Sequence, residues 1–402
     1  MDRRKFLKAS ATALAGATIG LTSCDEESFF PEIIPGKRSK RDEDKGYQAQ
    51  GKSSSLFVAS DRHEMGEGNN LPAILKEVSD KAEVPPQVVL LGGDYVGGGR
   101  IMTPEFPIQD LYDEIYSVFN PPTCDALFTY GSHDNCCTDG YSAFFSGPHR
   151  CDGYYIYGIT YVQMVCATDA DTNAAIALRS QRLLMGTAFE EFKDDDILIA
   201  QNGYNAIDIA DRFGKSAESA SASFLEWANS LSDNAPIVVM SHVPLHANRH
   251  DNYGGLIWFE ALSKVAEKHD IIFLWGHNHT IEEKAKDYTD REDAKLMDRF
   301  FYLLTPADML TPGDHIDIQG DAQTGVVSKR INFTYANAGY IKLGYGTVIT
   351  FSDSHSSGSY DQVTFHRYGI DSISTETEIG FTGKKNPYTY SLTVAQKNNR
   401  VR

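Results

Sequence analysis

The chain has 402 residues, 41% of them hydrophobic and 11% aromatic, and a formal net charge of −18. That composition suits one or two globular domains and excludes wholesale disorder. The acidity disfavours nucleic acid as a partner, because a body of that sign repels polyanions unless bound cations reverse it locally.

The N-terminus reads as an address. Arg3-Arg4-Lys5-Phe6-Leu7-Lys8 precedes Ala9–Leu21, a mildly apolar run rich in Ala, Gly and Thr. A paired arginine before such a run resembles a twin-arginine export signal, and the run is too short and too weak to span a bilayer. It ends in Leu21-Thr22-Ser23-Cys24, which is similar to a bacterial lipobox. Residues 1–23 are expected to be a signal peptide, and Cys24 to carry a lipid that anchors the protein in the cell envelope, on its periplasmic or surface face. Residues 24–54, opening on Asp25-Glu26-Glu27 and holding the charge run Lys37–Lys45, read as a flexible, solvated tether.

From residue 55 onward, five short apolar runs each lead into residues able to bind a metal. Leu56–Ser60 runs into Asp61 and His63, and Val88–Leu91 passes through Gly92-Gly93 into Asp94. Ala126–Tyr130 leads to Gly131-Ser132-His133-Asp134, Ile237–Met240 to Ser241 and His242, and Ile271–Trp275 to His277 and His279. Buried parallel strands read as continuous apolar runs, and open α/β sheets bind ligands beyond the carboxyl ends of their strands. The five turns therefore belong to one mouth.

Helical faces lie between the runs: Leu71, Ile74, Leu75 and Val78; Phe224, Leu225, Ala228 and Leu231; Leu256, Phe259, Leu262 and Ala266. This alternation predicts an α/β layered fold. Tyr154–Ala167 reads as a strand pair on a second sheet, with further strands near Phe301–Leu304, Asn332–Asn337 and Thr347–Phe351. Two long gaps, about 150–235 and 280–330, are expected to be insertions in a domain spanning 55–370. Residues 371–402 read as a polar tail or an edge strand. Cys124, Cys136, Cys137, Cys151 and Cys166 match no zinc knuckle; a vicinal Cys136–Cys137 bridge and buried free thiols both remain open.

In order, the motifs are Asp61-x-His63, Gly92-Gly93-Asp94, Gly131-Ser132-His133-Asp134, His242 and Gly276-His277-Asn278-His279. This set resembles the calcineurin-like metallophosphoesterase superfamily, whose pattern is D-x-H, G-D, G-N-H-[DE], H and G-H-x-H. The resemblance implies an α/β/β/α sandwich with two mixed sheets flanked by helices. It also implies two divalent or trivalent transition metal ions, of Mn, Fe or Zn. Asp61, His63 and His279 would hold one ion, His242 and His277 the other, and Asp94 would bridge them. Hydrolysis of phosphate mono- or diesters would follow by in-line attack of a metal-bridging hydroxide, with His133 protonating the leaving oxygen and Asp134 orienting that imidazole.

One departure concerns Ser132, which stands where the superfamily places an Asn ligand to the second ion. Either Ser132 ligates, Asn135 substitutes, or the second site is weak. The alternative reading is therefore a metal-bearing lipoprotein that binds phosphorylated ligands with little turnover. Gly97, at the position where purple-acid relatives carry Tyr, argues against a tyrosinate chromophore, and Asp94-Tyr95-Val96-Gly97 lacks the protein-phosphatase G-D-x-x-D-R-G. His246, Arg249 and His250 read as surface residues, with a phosphate-facing role as the alternative. Asp308, Asp314 and His315 read as turn chemistry rather than a third ion site.

Overall fold

The structure, a computed structural model, describes residues 53–63, 69–95, 108–119, 124–129, 131, 157–164, 178–185, 206–246, 254–277, 308–319, 326–355, 358–370, 379–381 and 383–394. The expected signal peptide, Cys24 and nearly all of the tether lie outside them. So do Cys136, Cys137, Cys151 and Cys166, whereas Cys124 is described and buried.

The first sheet is built on β1 (Ser54–Ala59), buried along its whole length. It runs parallel to β2 (Val88–Leu91), which is parallel in turn to β3 (Asp125–Phe128). On its other side β1 pairs antiparallel with β12 (Tyr345–Ser354), and β13 (Tyr360–Gly369) and β14 (Tyr388–Ser391) complete the order β14-β13-β12-β1-β2-β3. The second sheet has the order β5-β4-β6-β7-β11-β8. Here β6 (Ile237–Ser241), β7 (Ile271–Trp275) and β11 (Thr334–Asn337) are parallel neighbours, while β4 (Tyr157–Met164), β5 (Leu178–Met185) and β8 (Met309–Leu310) pair antiparallel.

The two sheets pack face to face. Alternate residues Leu56, Val58, Val88 and Leu90 of the first meet Val238, Met240, Ile272 and Leu274 of the second in one apolar cluster. The intervening residues face outward. On the first sheet they lie under α1 (Leu71–Lys81), whose buried face is Leu71, Ile74, Leu75 and Val78, and α2 (Ile108–Tyr116), whose Tyr112 meets Phe128 edge-on at 4.9 Å. On the second sheet Ile237, Val239, Ile271 and Phe273 pack with Phe224 and Ala228 of α3 (Ala206–Ser230) and Trp258 and Leu262 of α4 (Gly255–Val265). Strands apolar on both faces are what this four-layer α/β/β/α arrangement requires.

Three further segments complete the two sheets and their edges. The stretch 150–235, expected as an insertion, supplies β4 and α3, and β4 is the antiparallel neighbour of β6. Tyr154–Ala167 therefore holds one described strand, whose partners are β5 and β6. The second gap holds β8 and a separate two-stranded ribbon, β9 (His315–Gln319) with β10 (Val326–Arg330), whose Ile316 and Ile318 cover α4. Toward the C-terminus, β14 is an edge strand, and the backbone N–H groups of Thr393 and Val394 donate to the Asp270 carboxylate at 2.9 and 3.2 Å, tying the tail to the start of β7.

Candidate metal centre

The carboxyl ends of β1, β2, β6 and β7 converge, and the turns leaving them are bound to one another. Asp61 N–H donates to Gly93 O at 3.0 Å and His63 N–H to Asp94 O at 2.9 Å, so the first two turns are zipped side by side. Gly276 N–H donates to His242 O at 3.1 Å in the second sheet. The sheets are joined at the same level by Ser60 N–H to Gly339 O at 3.1 Å and Ile341 N–H to Ser60 O at 2.9 Å. Gly276 passes so close to the first sheet that a Cβ there would lie 2.6 Å from Asp61 Oδ2, which is why this position is glycine.

Backbone strain is concentrated here. Among the described residues, non-glycine residues with positive φ are Asp61 at 60°, His63 at 50°, Asp94 at 53°, His277 at 66° and Asp353 at 60°. Four of these five bear site side chains. Such conformations persist only where the surroundings hold them, and they gather where side chains must be aimed.

The side chains form two overlapping groups. Asp61, His63 and Asp94 make one, Asp94, His242 and His277 the other, and within each group the donor atoms lie within 4.8 Å of one another. His63 Nε2 is 3.5 Å from Asp61 Oδ1 and 3.5 Å from Asp94 Oδ2. His242 Nε2 is 3.3 Å from Asp94 Oδ2 and 3.1 Å from His277 Nδ1. His242 Nδ1 is 2.8 Å from Gly92 O; since a carbonyl only accepts, Nδ1 carries the proton and Nε2 turns its lone pair inward. His277 N–H donates to Asp61 Oδ2 at 2.9 Å, so the two groups share a backbone link as well as Asp94.

Electrostatics ask for positive charge at this point. Asp61 and Asp94 are buried, and a buried carboxylate is costly unless a cation or a set of donors compensates it. Burial works against protonation of His242, yet Asp94 and then Asp61 outweigh it and push the imidazole up to about 9. His63 behaves alike: burial opposes its charge, and Asp61 and Asp94 hold its pKa above the ordinary value. Inward-facing imidazole nitrogens with hard carboxylate oxygens are a donor set that suits borderline transition metals, so these residues fit such ions. Ligands of this kind give up protons as the metal enters.

Ser132, His133, Asp134 and His279 lie outside the described residues. Gly131, immediately before Ser132, abuts Asp94, where a Cβ would come within 2.8 Å of Asp94 Cγ. His246 is a correction: it is fully buried rather than on the surface, and burial pushes its imidazole down to about 3. The neutral ring accepts at Nδ1 from the Tyr335 hydroxyl at 2.7 Å, and that oxygen accepts from Leu245 N–H at 2.9 Å. Asp314 accepts from Thr311 N–H at 2.7 Å, which is turn chemistry, while Asp308 pairs with Arg367 at 3.1 Å. Tyr95, adjoining Asp94, turns its hydroxyl to Leu91 O and Thr129 O at 2.9 and 2.8 Å, clipping the ends of β2 and β3 together.

Sequence reasoning passed over Arg62, Asn69 and Glu114. Arg62 stands between two candidate ligands and is buried, with Nη2 2.6 Å from Glu114 Oε1 and Nε 3.0 Å from Asn69 Oδ1. Only a lone charge inside the D-x-H motif pointed to it.

Two facing mixed sheets, with two carboxylates and three imidazoles gathered beyond their strand ends, define an α/β protein with paired metal-binding groups. The sequence profile of the calcineurin-like phosphoesterase family matches residues 55–280, more than half of the chain, and the protein belongs to that family. No curated protein matches the chain. Among solved structures it is similar to GAP50, the anchor in the inner membrane complex of Plasmodium, at 11% identity over 85% of this chain and 89% of that one, with a TM-score of 0.40. A likeness at that level carries no functional information.

Proposed function

We propose that this protein is an envelope-anchored, metal-dependent hydrolase of phosphate mono- or diesters. The observation that carries the reading is Asp94, a buried carboxylate belonging at once to the Asp61–His63 group and to the His242–His277 group. In this reading Asp61, His63 and His279 hold one transition metal ion, His242, His277 and Ser132 the other, and Asp94 both. Bound there, such ions supply Lewis-acid stabilisation of phosphoryl oxygens and lower the pKa of water.

The chain's own groups do the rest. His133 Nε2 or Nδ1 delivers a proton to the leaving oxygen, and Asp134 keeps that imidazole charged and aimed; positioned proton donors are worth about 10²–10⁴ in rate. Family membership supports hydrolysis, and the Leu21–Cys24 lipobox together with Arg3-Arg4 supports export and lipid anchoring. Among the described residues no helix is long and apolar enough to cross a membrane.

Ser132 favours one second reading: a weak second ion would leave a lipoprotein that binds phosphate esters without turning them over. Mature protein loaded with manganese, iron or zinc, assayed on aryl phosphate mono- and diesters, separates the two. Turnover abolished by Asp94→Asn supports the hydrolase. Failure with every metal removes the enzyme reading, and one ion bound without turnover leaves the binding lipoprotein.

A further inference from the structure

We propose that Arg62, clamped by Glu114 and Asn69, is a positioning residue that holds the strained Asp61–His63 turn in the shape that receives a metal ion. The inference rests on the reading that Asp61 and His63 hold such an ion. Both residues have positive φ, a conformation that non-glycine residues keep only when neighbours hold them in it. On the inner side the turn is held by the backbone bonds from Asp61 to Gly93 and from His63 to Asp94.

Arg62 supplies the hold on the outer side. Its Nη2 donates to Glu114 Oε1 at 2.6 Å and its Nε to Asn69 Oδ1 at 3.0 Å. Asn69 Nδ2 donates to the same Glu114 oxygen at 2.8 Å, which closes a triangle, and Asn69 Oδ1 also accepts Leu71 N–H at 3.1 Å. The turn is thereby fastened to the start of α1 and to the last turn of α2. The pair is shielded, with side-chain exposures of 4% for Arg62 and 19% for Glu114, so it forms a rigid charge-assisted link rather than a surface contact. Engaged in that way, Nη2 and Nε of the guanidinium are committed to partners on the helix side of the turn. Groups that orient metal ligands typically change affinity 10- to 100-fold when removed.

The test is cobalt(II) titration of the metal-free mature protein, read by calorimetry and ligand-field absorption, for wild type, Glu114→Gln, Arg62→Lys and Arg62→Met/Glu114→Leu. The double variant replaces the pair with apolar groups and so avoids leaving one charge buried alone. Expected are two ions in wild type and a 10- to 100-fold weaker affinity for one of them in Glu114→Gln and the double variant, the other affinity changing far less. Arg62→Lys, which keeps the charge but loses the Nε donor to Asn69, should fall between. Folded variants with both affinities intact, or with both weakened equally, overturn the proposal while leaving the metal reading in place. Wild type that takes up no cobalt overturns both.

Discussion

Gly276→Ala adds a single methyl group at the seam between the two sheets. The backbone permits it, because Gly276 is not among the positive-φ glycines. The space does not: the new Cβ would lie 2.6 Å from Asp61 Oδ2 and 2.6 Å from Ser60 Cβ, and closer still to Ser60 Oγ. Ordinary contact begins at 3.4 Å, so the Asp61 carboxylate must retreat by about 0.8 Å. It cannot retreat freely, since Ser60 and Asp61 are buried and Asp61 Oδ2 also accepts His277 N–H at 2.9 Å. Displacing it disturbs one residue of each metal-binding group. Overpacking of this kind costs about 1–3 kcal/mol of stability. A misplacement near 1 Å in a catalytic arrangement costs roughly 10² in rate. The assay is metal stoichiometry and aryl phosphate turnover of the folded variant, with thermal melting beside it. Wild-type affinity for both ions and unchanged turnover would refute the packing argument.

Three further outcomes follow from other parts of the molecule. Burial holds His246 at about 3, against roughly 6.5 unfolded, so the unfolded chain takes up the proton first and stability falls as pH drops from 6.5, by about 1.4 kcal/mol per pH unit. In chelator-treated protein, the stability of wild type relative to His246→Gln should therefore fall by about 2 kcal/mol between pH 6.5 and 5 in urea unfolding, and a constant difference would contradict this. Ser132→Asn, which restores the superfamily's amide oxygen, should tighten the weaker of the two ions in a calorimetric titration; an unchanged affinity means Ser132 is no liability. Cys24→Ala should abolish labelling by a fatty-acid probe and move the protein out of the membrane fraction, and retention there would remove the lipid anchor from the account.

The strands that position the site were legible because they are buried on both faces. Val88–Leu91 and Ile271–Trp275 coincide with β2 and β7, and the other three runs agree with β1, β3 and β6 to within two residues at each end. The helices were legible where large apolar residues repeat, as at Leu71, Ile74, Leu75 and Val78. The α3 helix begins at Ala206, well before its sequence-read face at Phe224, because the intervening stretch is rich in Ala and Ser and shows little contrast. Ionic and polar pairing was not legible. Arg62 meets Glu114 across 52 positions, and His246 meets Tyr335 across 89, and neither spacing leaves a periodic trace. Nor could the chain show that β4 lies beside β6, since antiparallel partners distant in sequence are selected by the packed sheet and not by local propensity.

The measurement closest to the central claim is anomalous diffraction from a manganese- or zinc-soaked crystal. Two peaks about 3.5–4 Å apart, one on each side of the Asp94 carboxylate, are the expected result. Peaks elsewhere, or none within reach of Asp61, Asp94 and His242, would contradict the account.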